Sequence, residues 1–374
     1  MSIHNKIRKM FFLLQKYWSD KKIMQTYVHK SKYLDYLSDT DFSRYEHNFY
    51  SALKCFGKDR NRQQIMSEII RNFYSSHISQ EKISFRASEV EADTPILISV
   101  IKNDISRSNL LFDYYRQLGI KNFVILDNNS DDGTFEWLMK QPDINLFRCT
   151  DNYQTYRKEA WVNRLISMCG FHRWYLIVDS DELVDYIGSE KYSIDQLVKK
   201  LQSKGYKRAK GMLIDMYSKE NIFQSECSYE DIPKVFCHYD STGYQFVEKS
   251  FVKHWEGGPR ERELDTKHIW VSKSPLVYYD ENTVVINAHF QFPLTVDADS
   301  PDVFFIRHYK YLKSDYKPFA ARVTQGNFAN GSEFYKKAIS QFDQGKSTNF
   351  MYEGSKKYTT SEDIAGFYNI TNMF

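Results

Sequence analysis

The sequence predicts an α/β protein: a mostly parallel sheet flanked by helices, with a mainly helical region before it and further helices after it. Three observations predict this. Short apolar runs rich in β-branched and aromatic residues recur at 96–101, 123–126, 144–147 and 174–178. Helical patterns fill the gaps between them, and that alternation implies right-handed βαβ units. Several of the runs stop abruptly at acids or amides, as strands do when their tips face a ligand.

Residues 1–90 read as mainly helical. Ile3, Ile7, Met10, Phe11 and Leu14 recur at helical spacing, with Lys6, Arg8, Lys9 and Lys16 between them. Such a helix can lie on an anionic membrane surface or pack on its own domain. The acidic, small-residue stretch 87–94 reads as a linker, and Pro95 follows it. The predicted elements then run in order: strand 96–101, helix 108–118 closed by Gly119, strand 123–126, helix 135–140, strand 144–147, helix 156–169 and strand 174–178. Beyond about residue 205 the alternation weakens. Strands are expected at 211–216, 276–279, 284–288 and 303–306, and helices from Asp315 onward. The expected organisation is a helical region at 1–90, an α/β domain at 95–340 and a C-terminal extension at 341–374.

Composition excludes several classes. With 42% hydrophobic and 26% charged residues over 374 positions, the chain is globular rather than disordered. A net charge of +3 is too small to argue for a nucleic-acid partner. Cys55, Cys149, Cys169, Cys227 and Cys237 form no C-x-x-C pair and are odd in number, which favours a reducing compartment over a disulfide framework or a zinc site. No signal peptide and no apolar run long enough to span a membrane are read. The expected location is therefore cytoplasmic, with peripheral contact to the inner face of the membrane through the N-terminal helix.

The chemistry concentrates at W-Y-L-I-V-D-S-D-E-L, residues 174–183. The apolar run reads as a buried parallel strand, and Asp179, Asp181 and Glu182 follow at its tip. Two Asp one residue apart can surround a hard divalent cation such as Mg²⁺ or Mn²⁺, which shares its oxygen ligands with substrate phosphates. The same pattern also occurs as a solvated turn or a helix N-cap. Two other strands end similarly, in Lys102, Asn103 and Asp104 and in D-N-N-S-D-D-G-T, residues 127–134. In a parallel sheet all three tips share one edge, so they can surround one ligand: the first two would hold a nucleoside and the third a metal on a diphosphate. No G-x-G-x-x-G follows the first strand, which argues against a dinucleotide site, and no P-loop or G-x-S-x-G occurs.

The order P-I-L-I-S-V-I-K-N-D, V-I-L-D-N-N-S-D-D-G-T and Y-L-I-V-D-S-D-E-L resembles the GT-A glycosyltransferases, in particular the family 2-like and family 92-like groups. The resemblance spans about 95–340 and continues through Gly257-Gly258-Pro259-Arg260-Glu261-Arg262, Lys273-Ser274-Pro275-Leu276, Asn287-Ala288-His289 and His308-Tyr309-Lys310-Tyr311-Leu312. It departs at Asp104, where that group usually has Glu. It implies a GT-A, Rossmann-like fold. It also implies transfer of a sugar from a nucleoside diphosphate sugar, a uridine form first, to a glycan or lipid-linked acceptor. Mn²⁺ or Mg²⁺ would be the cofactor, inversion the stereochemical course, and bacterial surface polysaccharide such as capsule or lipopolysaccharide the setting. A bound metal would stabilise the departing diphosphate as a Lewis acid.

The roles that follow are expectations. Asp181 ligates the metal, with Asp179 on the metal or the ribose and Glu182 supporting from behind or capping the next helix. His308, ahead of His289, completes the metal shell. Asp127 contacts the nucleoside, joined by Lys102, Asn103, Asp104, Asn129 and Asp132 around a turn that Gly133 shapes. Arg260 and Arg262, after a Gly-Gly pair, approach the diphosphate. Glu256 is the first choice for the carboxylate that deprotonates the acceptor, Glu261 the second, with Asp240 and Asp215 as rivals. Trp255, Tyr244 and Trp270 could stack on sugars. Two other classes compete with the transferase reading. A sugar-nucleotide nucleotidyltransferase would need a glycine-rich basic loop where I-K-N-D-I-S-R-S stands, and a noncatalytic glycan-binding protein would not need both motif aspartates.

Overall fold

The structure, a computed structural model, describes residues 81–82 and 94–374, apart from 154, 250–251, 282, 286–287, 290, 293–295, 297–298, 326–328 and 347. The basic amphipathic stretch and nearly all of the expected linker lie outside these residues. Where a helical region was predicted, Glu81–Lys82 forms a short strand, β1, because the edge of a later strand supplies ladder partners that local pattern cannot reveal.

The predicted alternation follows. β2 (Ile96–Ile101), α1 (Ile105–Gln117), β3 (Asn122–Asp127), α2 (Thr134–Met139), β4 (Ile144–Arg148), α3 (Thr155–Cys169) and β5 (Arg173–Ile177) appear in order. β6 (Glu182–Asp185), α4 (Ile194–Ser203) and β7 (Arg208–Asp215) come next. After β7 lie β8 (His238–Asp240), a hairpin of β9 (Tyr244–Lys249) and β10 (Val252–Gly257), and a short helix α5 (Pro259–Glu263). β11 (Ser272–Tyr279), the minor pair β12 (Val284–Val285) and β13 (Gln291–Phe292), β14 (Asp302–His308), α6 (Tyr316–Gln325) and α7 (Ala329–Asp343) complete the domain.

Nine strands form the central sheet in the order β1-β4-β3-β2-β5-β11-β7-β14-β6. β2, β3, β4, β5, β7 and β14 run one way, and β1, β6 and β11 run against them. This is the expected α/β class, consistent with a GT-A-like, Rossmann-like arrangement. Side chains of β2 alternate between two layers, as the pleat requires. Leu97 and Ile101 pack in one layer with Phe112 and Tyr115 of α1, while Ile96 and Ile98 pack in the other with Trp161 and Leu165 of α3. Each such fully buried side chain contributes about 1.5–3 kcal/mol, so both helix layers are held by burial rather than by helix propensity.

Beyond Asp343 the expected helices give way to β15 (Ser355–Lys357), which pairs with β8, and a 3₁₀ turn. Ile364, Phe367, Ile370 and Met373 are buried in the same core as Phe305 and Tyr239. These apolar residues are too sparse for a regular helical face, and their burial against the sheet selects the irregular path.

Strand direction positions the site. β2, β3, β5, β7 and β14 all end at one edge, and the antiparallel β6 and β11 begin there. The carboxyl tips of these strands and the first residues of two more therefore share one edge of the sheet.

Candidate active site

Asp179, Asp181 and Glu182 each offer a carboxylate oxygen to a set lying within 4.8 Å of one another. Glu182 is not a helix cap. It opens β6, is buried, and receives Lys273 Nζ at 2.7 and 2.5 Å on its two oxygens. Its Oε2 also accepts the Asp179 backbone N–H at 3.0 Å, which sets the turn between the two residues.

The motif aspartates are ringed by cations from other elements. Lys158 of α3 donates to Asp179 Oδ1, and Lys273 Nζ stands 3.7 Å from Oδ2. Lys310 Nζ and His308 Nε2 lie 3.7 and 3.3 Å from Asp181 Oδ2. Burial works to raise both aspartate pKa values, yet these cations outweigh it and hold both carboxyls well below the usual carboxylate range.

His308 ends β14 in register with Asp215, the last residue of β7. Its Nδ1 bonds Asp215 Oδ1 at 2.6 Å, and Arg260 Nε donates to Asp215 Oδ2 at 2.7 Å. Burial disfavours the charged imidazole, but Asp181 outweighs it and raises the His308 pKa, so the site favours positive charge at that point. A carboxylate orienting one ring nitrogen while the other faces an acidic pair is the arrangement metal-binding imidazoles use. The carboxylates that converge for a hard divalent ion are Asp179, Asp181 and Glu182, although both oxygens of Glu182 are committed to Lys273; His308 Nε2 approaches only the Asp181 side of the set. His289 stands beside the basin: its Nδ1 donates to the Ser272 carbonyl at 2.9 Å, and burial pushes its pKa down to about 4.

The expected nucleoside side is built from two interlocked loops. Asp127 ends β3; its Oδ1 accepts the Ser130 N–H at 3.1 Å, while Oδ2 is buried without a hydrogen-bond partner. Asp132 accepts the Thr134 N–H at 3.0 Å and the Ile105 N–H at 3.1 Å, so it ties the first residue of α2 to the first residue of α1. Asn103 bridges to Asp131, both residues exchanging hydrogen bonds at 2.7 and 2.9 Å. Asn129 accepts from Arg148 Nη2 at 3.3 Å, and both Asn103 and Asn129 adopt positive φ. Lys102 is exposed. Asp104 is buried against Arg107 at 2.9 Å; burial pushes its pKa up to about 6, against the pull of Arg107.

The Gly-Gly loop departs from expectation. Gly257 has φ 128°, and a Cβ there would stand 2.2 Å from the Gly243 carbonyl, so the glycine lets the open end of the β9–β10 hairpin, where it pairs with Tyr244, pack against that carbonyl. Arg260 is spent on Asp215. Arg262 bonds Asp240 at 3.0 and 3.2 Å and the Phe350 carbonyl at 2.6 Å, tying the hairpin region to the C-terminal segment. Glu261 accepts the Ile269 N–H at 2.6 Å, a backbone clamp. Glu256 holds His254 Nε2 at 2.7 Å and His268 Nδ1 at 2.9 Å. From there Trp270 leads back toward the basin, its ring 4.0 Å from that of His254 and 6.1 Å from that of His289.

Sequence reasoning missed Lys158, Lys310, Arg107, Arg322 and Tyr335. Lys310 follows His308 by two residues beyond a strand end, and period-two alternation could have placed both on one side. Arg107 donates from Nη1 to both oxygens of Asp315, at 2.8 and 2.9 Å. Arg322 of α6 donates to Tyr335 of α7 at 3.2 Å, and Lys310 stands 5.8 Å from that ring. Burial opposes ionisation of Tyr335, yet Lys310 and Arg322 outweigh it and lower its pKa. Apart from that spacing, no sequence pattern marks these contacts, because they join segments apart in the chain.

No family model matches the chain, and no curated protein matches it. Among solved structures, TarS 1–349 from S. aureus is similar at 10% identity and a TM-score of 0.28, over 67% of this chain and 70% of that one. The likeness is a distant one, and the chemistry of the site rests on its own residues.

Proposed function

We propose that the protein transfers a sugar from a nucleoside diphosphate sugar, a uridine diphosphate sugar first among them, to a hydroxyl of a glycan or lipid-linked acceptor. One observation carries the reading. An acidic triad at the end of β5 meets Lys158, Lys273, Lys310 and His308, drawn from three other elements, at the carboxyl edge of an α/β sheet. Such an edge is where these sheets bind ligands, and the mixture of hard oxygen donors with ammonium groups suits a metal-bound diphosphate.

In this reading the acceptor oxygen attacks the anomeric carbon as its bond to the diphosphate oxygen breaks, and the anomeric configuration inverts. Glu256 takes the acceptor proton, with His254 and His268 holding the carboxylate in place. Asp127, through its unpartnered buried oxygen, receives a donor from the nucleoside. Asp179, Asp181 and His308 would hold Mn²⁺ or Mg²⁺, which when bound supplies Lewis-acid stabilisation of the leaving diphosphate. Trp270 offers a sugar platform. The acceptor pathway, surface polysaccharide assembled on the inner face of a membrane, rests on the sequence resemblance.

A thermal-shift and calorimetric screen of uridine, guanosine, cytidine and thymidine diphosphates and their sugars, with and without Mn²⁺, tests this. One nucleotide should stabilise the protein, by about 2.7 kcal/mol at a concentration a hundredfold above its Kd. Mn²⁺ should add to that effect, Asp181→Ala should abolish the Mn²⁺ increment, and the matching sugar donor should be consumed. A flat response across all four nucleotides, with and without Mn²⁺, refutes the donor site.

A further inference from the structure

We infer that Lys158 and Lys310 form a diphosphate clamp: they leave Asp179 and Asp181 for the phosphate oxygens of the donor, so that a nucleoside diphosphate binds before any divalent ion. This rests on the transferase reading above and gives two of its lysines a task and an order of binding that the reading leaves open.

The three site lysines differ in how they are held. Lys273 is committed, with short contacts to both oxygens of buried Glu182, and its distance to Asp179 is longer, at 3.7 Å. It is a fixed part of the wall. Lys158 has a single carboxylate partner, the outer Oδ1 of Asp179. Lys310 is held by no short contact: it lies 3.7 Å from Asp181 Oδ2 and 3.5 Å from His308 Nε2. Both side chains keep 16% of their surface accessible, against 6% for Lys273. They reach different carboxylates of the triad, Lys158 from the first turn of α3 to Asp179 and Lys310 from just past β14 to Asp181.

An incoming diphosphate brings several negative charges beside three carboxylates. At short range in a poorly solvated basin such charges repel strongly, so the ligand needs cations already in place. The two ammonium groups are there, each on a rotatable four-carbon stem that can swing from carboxylate to phosphate. The exchange also frees Asp179 Oδ1 and removes one cation from Asp181 Oδ2, and these are atoms a divalent ion would then take. Diphosphate and metal binding would accordingly favour each other, and the ammonium groups would hand over two carboxylates as the anion arrives.

The test is calorimetric binding of uridine and guanosine diphosphate and of inorganic pyrophosphate to the full chain. It is run in excess EDTA and in Mn²⁺, for the wild type, Lys158→Met, Lys310→Met and Lys158→Arg. Melting curves first confirm that each variant folds. The expected result is nucleotide and pyrophosphate binding in EDTA that weakens steeply with added salt. Each Met variant should lose about tenfold or more in affinity, about 1.4 kcal/mol, and Arg should retain most of it. Nucleotide binding that needs Mn²⁺ and ignores both Met substitutions overturns the clamp and leaves the transferase reading standing. Pyrophosphate binding through the lysines without any nucleotide or sugar-donor binding keeps the clamp and removes the transferase reading. Absence of all binding removes both.

Discussion

Glu159 provides the most direct quantitative test of the electrostatics around this basin. It follows Lys158 on α3, is 2% exposed, and neither carboxyl oxygen has a hydrogen-bond partner. Burial pushes its pKa up from 4.5 to about 8, against the opposing pull of Lys158. The folded chain thus keeps this acid protonated at neutral pH, while the unfolded chain ionises it. The sign follows from linkage: a raised folded-state pKa gives a contribution that is fully present below pH 4.5 and is lost as pH rises toward about 8. Each pKa unit is worth about 1.4 kcal/mol, so the whole shift corresponds to roughly 5 kcal/mol. Glu159→Gln keeps the shape and removes the ionisation. Urea unfolding of both proteins from about pH 5 to about pH 8 should show the variant gaining roughly 3–5 kcal/mol relative to the wild type across that range. The comparison is of slopes, because any fixed cost of the buried amide cancels. Parallel stability curves would mean that Glu159 is charged or hydrated in the folded protein, and would refute the argument.

Other consequences are as concrete. Lys273→Met strands the buried Glu182 carboxylate and should cost about 3–5 kcal/mol in chemical denaturation, with Glu182→Leu in the same chain restoring most of it; a loss under about 1 kcal/mol would deny the pair its role as a buried wall. Asp132→Ala removes the acceptor that ties the first residues of α1 and α2 together, and thermal melts should report about 1–3 kcal/mol lost, with weakened nucleotide binding as the two loops separate. Asp104→Asn should lessen the loss of stability between pH 3.8 and about 6, since burial raises that carboxyl in the folded state and its contribution fades as pH rises through this window; unchanged pH dependence would contradict the placement. Deleting residues 1–20 should abolish binding to anionic liposomes if the basic helix is a membrane contact; no binding by the intact chain would end that proposal.

The parallel core was legible in the sequence because local pattern and tertiary role agree there. β2, β3, β4 and β5 are buried on both faces, so they read as continuous apolar runs. The acids at their tips were legible for the same reason: a run of Ile, Leu and Val that stops at Asp leaves few other places for the charge. What lay hidden depends on pairing between distant segments. β11 inserts antiparallel between β5 and β7, and only that insertion carries Lys273 to Glu182. β1 and β15 exist because β4 and β8 offer free edges, not because Glu81–Lys82 or Ser355–Lys357 favour extended backbone.

The Gly257-Gly258-Pro259-Arg260-Glu261-Arg262 segment and the lysines carry the same lesson in opposite directions. A glycine pair followed by arginines has the composition of a phosphate loop, yet Arg260 is bound by Asp215, Arg262 by Asp240, and Gly257 makes room for a backbone carbonyl. Lys158 lies in no motif, and Lys310 lies in the stretch His308-Tyr309-Lys310-Tyr311-Leu312 with no role read for it, yet they stand on the two motif aspartates. Arg262 gives Nε and Nη2 to Asp240, and Arg260 gives Nε to buried Asp215, so removing either would strip a buried carboxylate of a charged partner. A lysine with one carboxylate partner and an accessible stem can exchange that partner for an anion of higher charge. In the proposed reading the lysines carry the charge for the diphosphate, while the arginines hold Asp215 and Asp240.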